Sequence, residues 1–226
     1  MVDTRQIRKV ALFKLFDALV LPVAAYGCQV WLPSTLLFKT LTSESPSTHE
    51  SCKTIAKDPL ENLHLSFLKW TLGVSKTTSN ASIWGDCGRV PQGITMSKQL
   101  FAYKERLEQM DVVDGESLVR HAYQEQKLSN LSWFKCVDKL ATSTLANTFG
   151  PRHRVNPTPR PSQIRTNLTK WFIETWELSR AANRKLSFYN NIKSSFGVEL
   201  YLTLKLNNTE SKRIAQLRTS SHQFKP

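Results

Sequence analysis

The sequence predicts a mostly α fold, and three observations carry the prediction. Apolar residues recur every three to four positions through most of the 226 residues. Glycines and prolines fall mainly at the edges of those periodic runs. Only one stretch, Val198–Leu206, alternates with period two, which by the local rule is β.

The first helix runs from Gln6, with Ile7, Val10, Ala11, Lys14, Leu15, Ala18, Leu19 and Pro22 at near-helical spacing. The aliphatic run Leu19–Val23 predicts a turn buried on nearly all sides, and Pro22 must kink or restart the helix because it has no N–H to give. Tyr26, Val30 and Trp31 form an aromatic end closed by Pro33. Leu36, Leu37 and Phe38 then offer an apolar docking point. Leu41–Asp58, rich in Ser, Thr, Glu, Pro and Lys, reads as an exposed insertion, set at 39–58.

A strong helix follows. Asp58 is a cap-type residue, Pro59 suits the first helical position, and Gly73 ends the run. Leu60, Leu63, His64, Phe67, Leu68 and Thr71 share one face. Ser79 or Asn80 caps a short helix through Trp84, and Gly85, Gly88 and Pro91 mark a tight connection. Three amphipathic helices are expected over Met96–Met110, with Leu100, Tyr103 and Leu107 inward, then Glu116–Gln126 and Leu131–Leu145.

Residues 150–161 contain four prolines, a density no packed element survives. They divide the chain into a helical bundle at 1–150, a Pro/Arg-rich linker at 151–161 and a basic module at 162–226. Ser162 caps the module's first helix, on which Ile164, Leu168, Trp171, Thr175, Leu178 and Ala182 form the apolar stripe. Ser211–Leu217 returns to helical spacing.

Charge narrows the function classes. The net charge is +13, and from Arg152 onward fourteen basic residues face four acidic ones, so that third carries +10. Such asymmetry favours a polyanionic partner, most simply nucleic acid. Four cysteines at 28, 52, 87 and 136 are too far apart for a zinc pair and too few for a disulfide scaffold, so free thiols in a reducing, intracellular compartment, cytoplasm or nucleus, are expected. The uncharged apolar run Ala18–Cys28 falls short of the roughly 18–20 residues a membrane span needs. The N-terminal apolar segment, interrupted by Lys14 and Asp17, reads as a core helix and not as a signal peptide.

The usual catalytic patterns are missing. No two aspartates are adjacent, as two-metal polymerases require, and Asp111 and Asp114 read as solvated helix-end carboxylates. No zinc-ligand spacing and no GxxxxGK loop occur, and no cofactor is expected. Three features suit nucleic acid. The turn Ser75–Asn80 offers hydroxyls, Lys76 and a helix N-terminus at Asn80, although ordinary capping explains it equally well. The helix from Ser162 carries Arg165, Lys170 and Arg184 off its apolar stripe, with Trp171 on the stripe as core and Trp176 as the better stacking candidate. The tail holds Lys212, Arg213, Arg218, His222 and Lys225.

Three blocks together resemble one family. Leu15–Trp31, containing Pro22, Tyr26-Gly27 and Val30-Trp31, is similar to a thumb helix of non-LTR (LINE-type) retrotransposon reverse transcriptases. His64–Pro91 resembles that family's His-x-x-Phe-Leu-Lys-x-x-Leu-Gly-Val…Thr-Ser-Asn segment, followed by Gly85, Gly88, Arg89 and Pro91. Phe196–Leu202 and Ile214–Phe224 resemble its Glu-x-Tyr-Leu and Leu-Arg-x-Ser-Ser-His stretches. The family's Glu is Asp86 here, and the 39–58 insertion is longer than the family's connection. The family's palm with its Tyr-x-Asp-Asp, its endonuclease and its zinc knuckle have no counterpart in the sequence. The resemblance implies a thumb-like bundle and a non-enzymatic piece of an RNA-directed DNA polymerase, from a degenerate element copy or one exon of it. It also implies a helix at 198–206, against the period-two rule.

The expected function is electrostatic, shape-based binding of template RNA or an RNA–DNA duplex through Lys76, Asn80, Arg89, Arg165, Lys170, Arg184, Arg213, Arg218 and His222. The alternatives are a protein-interaction scaffold, self-associating or docking a palm through an exposed apolar face, and a retroelement relic without function.

Overall fold

The computed structural model describes residues 9–43, 49–109, 118–129, 132–148, 160–204 and 206–219. In chain order the helices are α1 (Lys9–Leu15), α2 (Leu21–Ala24), α3 (Cys28–Trp31), α4 (Leu36–Leu41), α5 (Ser51–Ile55), α6 (Pro59–Leu72), α7 (Asn80–Cys87), α8 (Gln92–Gln109), α9 (Leu118–Leu128), α10 (Ser132–Thr148), α11 (Pro161–Ala182), α12 (Ser187–Ile192), α13 (Leu200–Thr203) and α14 (Asn208–Arg218). The protein is mostly α. Among the described residues the β structure is one isolated antiparallel bridge, Cys87 to Val198. Asp111, Asp114, the linker residues 151–159, His222 and Lys225 lie outside the described residues.

Two compact units interleave along the chain. Unit 1 gathers 1–26, 47–91 and 172–226, and unit 2 gathers 27–46 and 92–171. This differs from the division at 150–161 read from proline density. Pro161 starts α11 instead of ending a linker, and the division falls inside that helix.

In unit 1, α1 packs on α6 and α13, α6 on α7 and α14, and α5 on α7. Its core is aromatic. Trp84, Phe172, Trp176 and Tyr189 are fully buried. Trp84 meets Phe172 edge-on at 5.3 Å and Trp176 meets Phe196 at 5.1 Å, the offset geometry that ring quadrupoles favour. In unit 2, α3 packs on α8, and α10 on α4 and α9. Trp133 Nε1 donates to Gln29 O at 2.8 Å, and the buried Lys104 reaches Glu108 at 3.3 Å and Asp138 at 3.5 Å.

Pro22 acts through the turn before it. Phe16–Val20 is a π-helical turn in which Leu21 N donates to Phe16 O, five residues back. The wider turn makes room for a ring that would clash with the carbonyl four residues earlier, and the helix restarts at Leu21. The extra residue also shifts the phase of everything after it. The buried residues ahead of and at the start of this turn are Phe13 and Phe16, which stacks on Phe67 at 4.6 Å. Leu15, on the helical stripe, and Leu19, Val20 and Val23, expected in a buried turn, are exposed, as is Tyr26 of the aromatic end.

Three other faces moved. On α6 the buried set is Glu61, His64, Leu65, Leu68, Thr71 and Leu72, with Leu63 exposed. On α11 it is Ile164, Leu168, Phe172, Thr175 and Trp176, a four-residue step that leaves Leu178 outside. Within 39–58, Ser51, Cys52, Ile55 and Asp58 are buried by α5 packing on α7, so this part is core and not exposed insertion. The period-two stretch divides: Val198 bridges to Cys87, and Leu200–Thr203 forms one helical turn.

Candidate nucleic-acid interface

The Gly-rich connection after α7 positions a buried carboxylate. Gly88 ends α7 at φ 57°, and a Cβ there would stand 2.4 Å from Val198 N, so only glycine lets the 196–199 backbone come this close. That approach forms the Cys87–Val198 bridge and the bond from Glu199 N to Asp86 O, 2.9 Å. Asp86 is fully buried. Its Oδ1 accepts from Tyr189 Oη (3.0 Å) and Arg218 Nη2 (3.3 Å), and its Oδ2 from Tyr201 Oη (3.0 Å) and Arg218 Nε (3.2 Å). Arg218 also pairs with Glu199 at 3.0 Å, and Glu199 with Lys193. Burial first, and the Asp86 charge second, push the Tyr189 and Tyr201 phenols far above their ordinary range.

A second network fixes Arg89. Glu61 Oε1 accepts from Trp84 Nε1 at 2.7 Å and from His64 Nδ1 at 2.9 Å. A carboxylate can only accept, so these partners place the His64 proton on Nδ1 and leave Nε2 to accept from Arg89 Nε at 3.2 Å. The rest of the guanidinium forks onto Asp17, with Nη1 to Oδ2 at 2.9 Å and Nη2 to Oδ1. Arg89 and Arg218, expected to hold nucleic acid, are thus bound to internal carboxylates. They fasten the π-helical turn, α6, α7 and α14 within unit 1.

Two of the other candidates converge. Asn80 and Arg184 line one cleft of about 420 Å³ in unit 1, with His49, Lys53, Ser79 and Lys185. Asn80 opens α7, and the Ser79 side chain makes no capping bond to its first turn. Asn80 Oδ1 is buried with no hydrogen-bond partner among the described residues. Asn183 caps the short 3-10 turn Arg184–Leu186 through Lys185 N, which sets both cations at the rim. No carboxylate is among the residues lining this cleft. A helix start facing Arg184, Lys185 and Lys53, the last 3.8 Å from the exposed Glu50 carboxylate, is suited to an anion. Sequence reasoning missed Lys53, whereas it placed Lys185 on the basic face of the helix from Ser162. Lys53 was hidden by the Ser/Thr-rich composition around it.

The remaining candidates scatter. Lys76 is exposed on the 74–79 turn, where its carbonyl accepts from Lys69 Nζ at 2.8 Å. Arg165 and Lys170 are exposed on the unit 2 part of α11, and Arg213 on α14. Trp176 is not a stacking surface. It is fully buried, with Nε1 donating to Ala81 O at 2.7 Å. Three of the four cysteines are buried, and burial pushes the Cys52 thiol up to about 12. No group of three metal-ligating side chains occurs among the described residues, and no single helix there is long and apolar enough to cross a membrane. The chain matches no protein-family model, no curated protein and no solved structure.

Proposed function

We propose that the protein binds nucleic acid, RNA or an RNA–DNA duplex, as a non-catalytic remnant of a retrotransposon reverse transcriptase thumb. The observation that carries the proposal is the α7 cleft, where the helix start, Lys53, Arg184 and Lys185 meet with no carboxylate in the lining. The +10 charge from Arg152 onward and the three motif blocks support it from the sequence. Recognition is of the phosphate backbone, because the groups on offer are ammonium, guanidinium and backbone N–H.

The test is fluorescence anisotropy with an RNA hairpin and an RNA–DNA duplex from low to physiological salt. Binding should weaken steeply with salt, and Arg184→Glu/Lys185→Glu should flatten the slope by about two phosphate contacts. An unchanged slope in a folded variant would refute the role of the cleft. A second reading, a docking scaffold, is favoured by the exposed apolar residues Leu15, Leu19, Val20, Val23 and Tyr26. It predicts concentration-dependent self-association that Leu19→Glu/Val23→Glu abolishes in sedimentation velocity.

A further inference from the structure

A different cleft in unit 1, about 620 Å³, lies where α1, α6, α13 and α14 meet, and its chemistry points to a specific ligand class. Lys9 and Lys212 face it, and no carboxylate is among its lining residues. The Lys212 stem lies against Gly73, where a Cβ would stand 2.8 Å from it. The positive φ of Gly73 (69°) and its missing side chain therefore make the seat for this lysine. Lys9 Nζ donates to Asn208 Oδ1 at 2.6 Å, a neutral acceptor that leaves the charge uncompensated. Burial, and then the Lys212 charge, push the Lys9 ammonium below its ordinary range.

The floor supplies an independent observation. Thr71 and Ser211 line the cleft with side chains only 2% and 4% exposed, and neither hydroxyl has a hydrogen-bond partner among the described residues. Buried hydroxyls are rarely left unbonded, because desolvating them without a partner is costly. Each hydroxyl needs only a turn about its Cα–Cβ bond or its C–O bond to be redirected. Trp70, 70% exposed, forms a flat wall on the same cleft.

We infer that this cleft binds a nucleotide unit, its phosphate held by Lys9, Lys212, Thr71 and Ser211 and its base laid on Trp70. Two ammoniums and two donor hydroxyls match a phosphate's acceptor oxygens, and an exposed indole accepts any base face. The phosphate belongs either to a single-stranded nucleic acid, which deepens and rests on the proposed function, or to a free mononucleotide, which does not.

The test uses the full chain with inorganic phosphate, uridine, uridine monophosphate and fluorescein-labelled octauridylate. Octauridylate should bind, and the monophosphate and inorganic phosphate should displace it where uridine does not. Lys9→Gln/Lys212→Gln should weaken binding about tenfold, as the loss of charge-assisted bonds implies. Thr71→Val/Ser211→Ala, which adds neither bulk nor charge, should weaken it about threefold with an unchanged circular dichroism spectrum. If octauridylate binds equally well to wild type and to both double variants, the cleft assignment is overturned while nucleic-acid binding stands. If the monophosphate binds in a Lys9- and Lys212-dependent way and octauridylate does not, the cleft assignment stands and the nucleic-acid reading falls. Binding of neither overturns both.

Discussion

Replacing Asp86 by Asn leaves the shape of the side chain and turns one acceptor oxygen into a donor. In the wild type each carboxylate oxygen accepts two bonds, one from a tyrosine and one from Arg218. The amide can satisfy one such pair at most, and its NH2 faces the donors of the other. Removing one partner of a buried ion pair costs about 3–5 kcal/mol. Two features reduce that figure here: Arg218 is partly exposed and keeps Glu199 at 3.0 Å, and Tyr189 Oη keeps Ser82 O at 3.2 Å. Tyr201 Oη has no second acceptor among the described residues, so a net loss of about 3 kcal/mol is expected. At about 2–4 °C per kcal/mol for a chain of this size, the melting midpoint should fall by about 6–12 °C. The assay is thermal unfolding followed by near-ultraviolet circular dichroism, which reports the Trp84 and Trp176 environment of unit 1. Tyr201→Phe, which deletes a single donor, should cost only about 1 kcal/mol. A fall of under about 2 °C for Asp86→Asn would refute the claim that this carboxylate fastens α7 to α14.

Gly88→Ala should destabilise by more than about 2 kcal/mol, since it combines a left-handed backbone with a backbone clash at Val198; a denaturant midpoint equal to wild type would show that the 196–199 segment can move away without cost. Thr71→Val should raise the melting midpoint of the ligand-free protein, by about 1 kcal/mol, because it removes an unbonded buried hydroxyl; a lower midpoint would mean that the hydroxyl is bonded in solution. Tyr123, Tyr189 and Tyr201 are all held protonated by burial first and carboxylates second, so their folded pKa values lie above the unfolded one. Their contribution is complete below about pH 10, the unfolded value, and is lost progressively as pH rises beyond it toward the folded values, so the midpoint should fall from about pH 10 upward, and less so in Tyr201→Phe. At pH 8 the native protein should give a thiol reagent fewer than its four cysteines, with Cys52 and Cys87 slowest; labelling of these two as fast as Cys136 would contradict their burial.

Periodicity and capping chemistry made much of the fold legible. Pro59 after the capping Asp58 and Gly73 at the end of α6 were readable because each depends on a residue's own φ or hydrogen-bonding capacity; the start of α7 next to Ser79 was placed correctly, although Ser79 makes no capping bond there. Faces were read less well. Leu19 and Val23 lie on a helix apolar all round, and the π turn before Pro22 shifted its phase by an amount that spacing does not encode. Trp176 looked off-stripe because the α11 stripe steps by four, and it proved to be core. The charged candidates divided for a similar reason. Sequence can count Arg89 and Arg218, but it cannot see that Asp17 and Asp86, far along the chain, have taken their donors. Asn80 and Arg184 were readable singly, and only folding brought them to one cleft. Thr71 and Ser211 carried no signal, because the lack of a bond is a property of the packed state.

The order in which unit 1 is assembled bears on how the chain acquires its shape during synthesis. Helix α1 is synthesised well before α13, on which it packs. Unit 2 comes entirely from residues made between those helices. It can collapse on the nascent chain while the apolar rings Phe13 and Phe16 still wait for a complete binding surface. Closing so long a loop is entropically slow, and the waiting surface is the kind that holding chaperones recognise. Shortening the chain from its C-terminal side would remove α14 and its Arg218, leaving the Asp86 carboxylate inside without its cation.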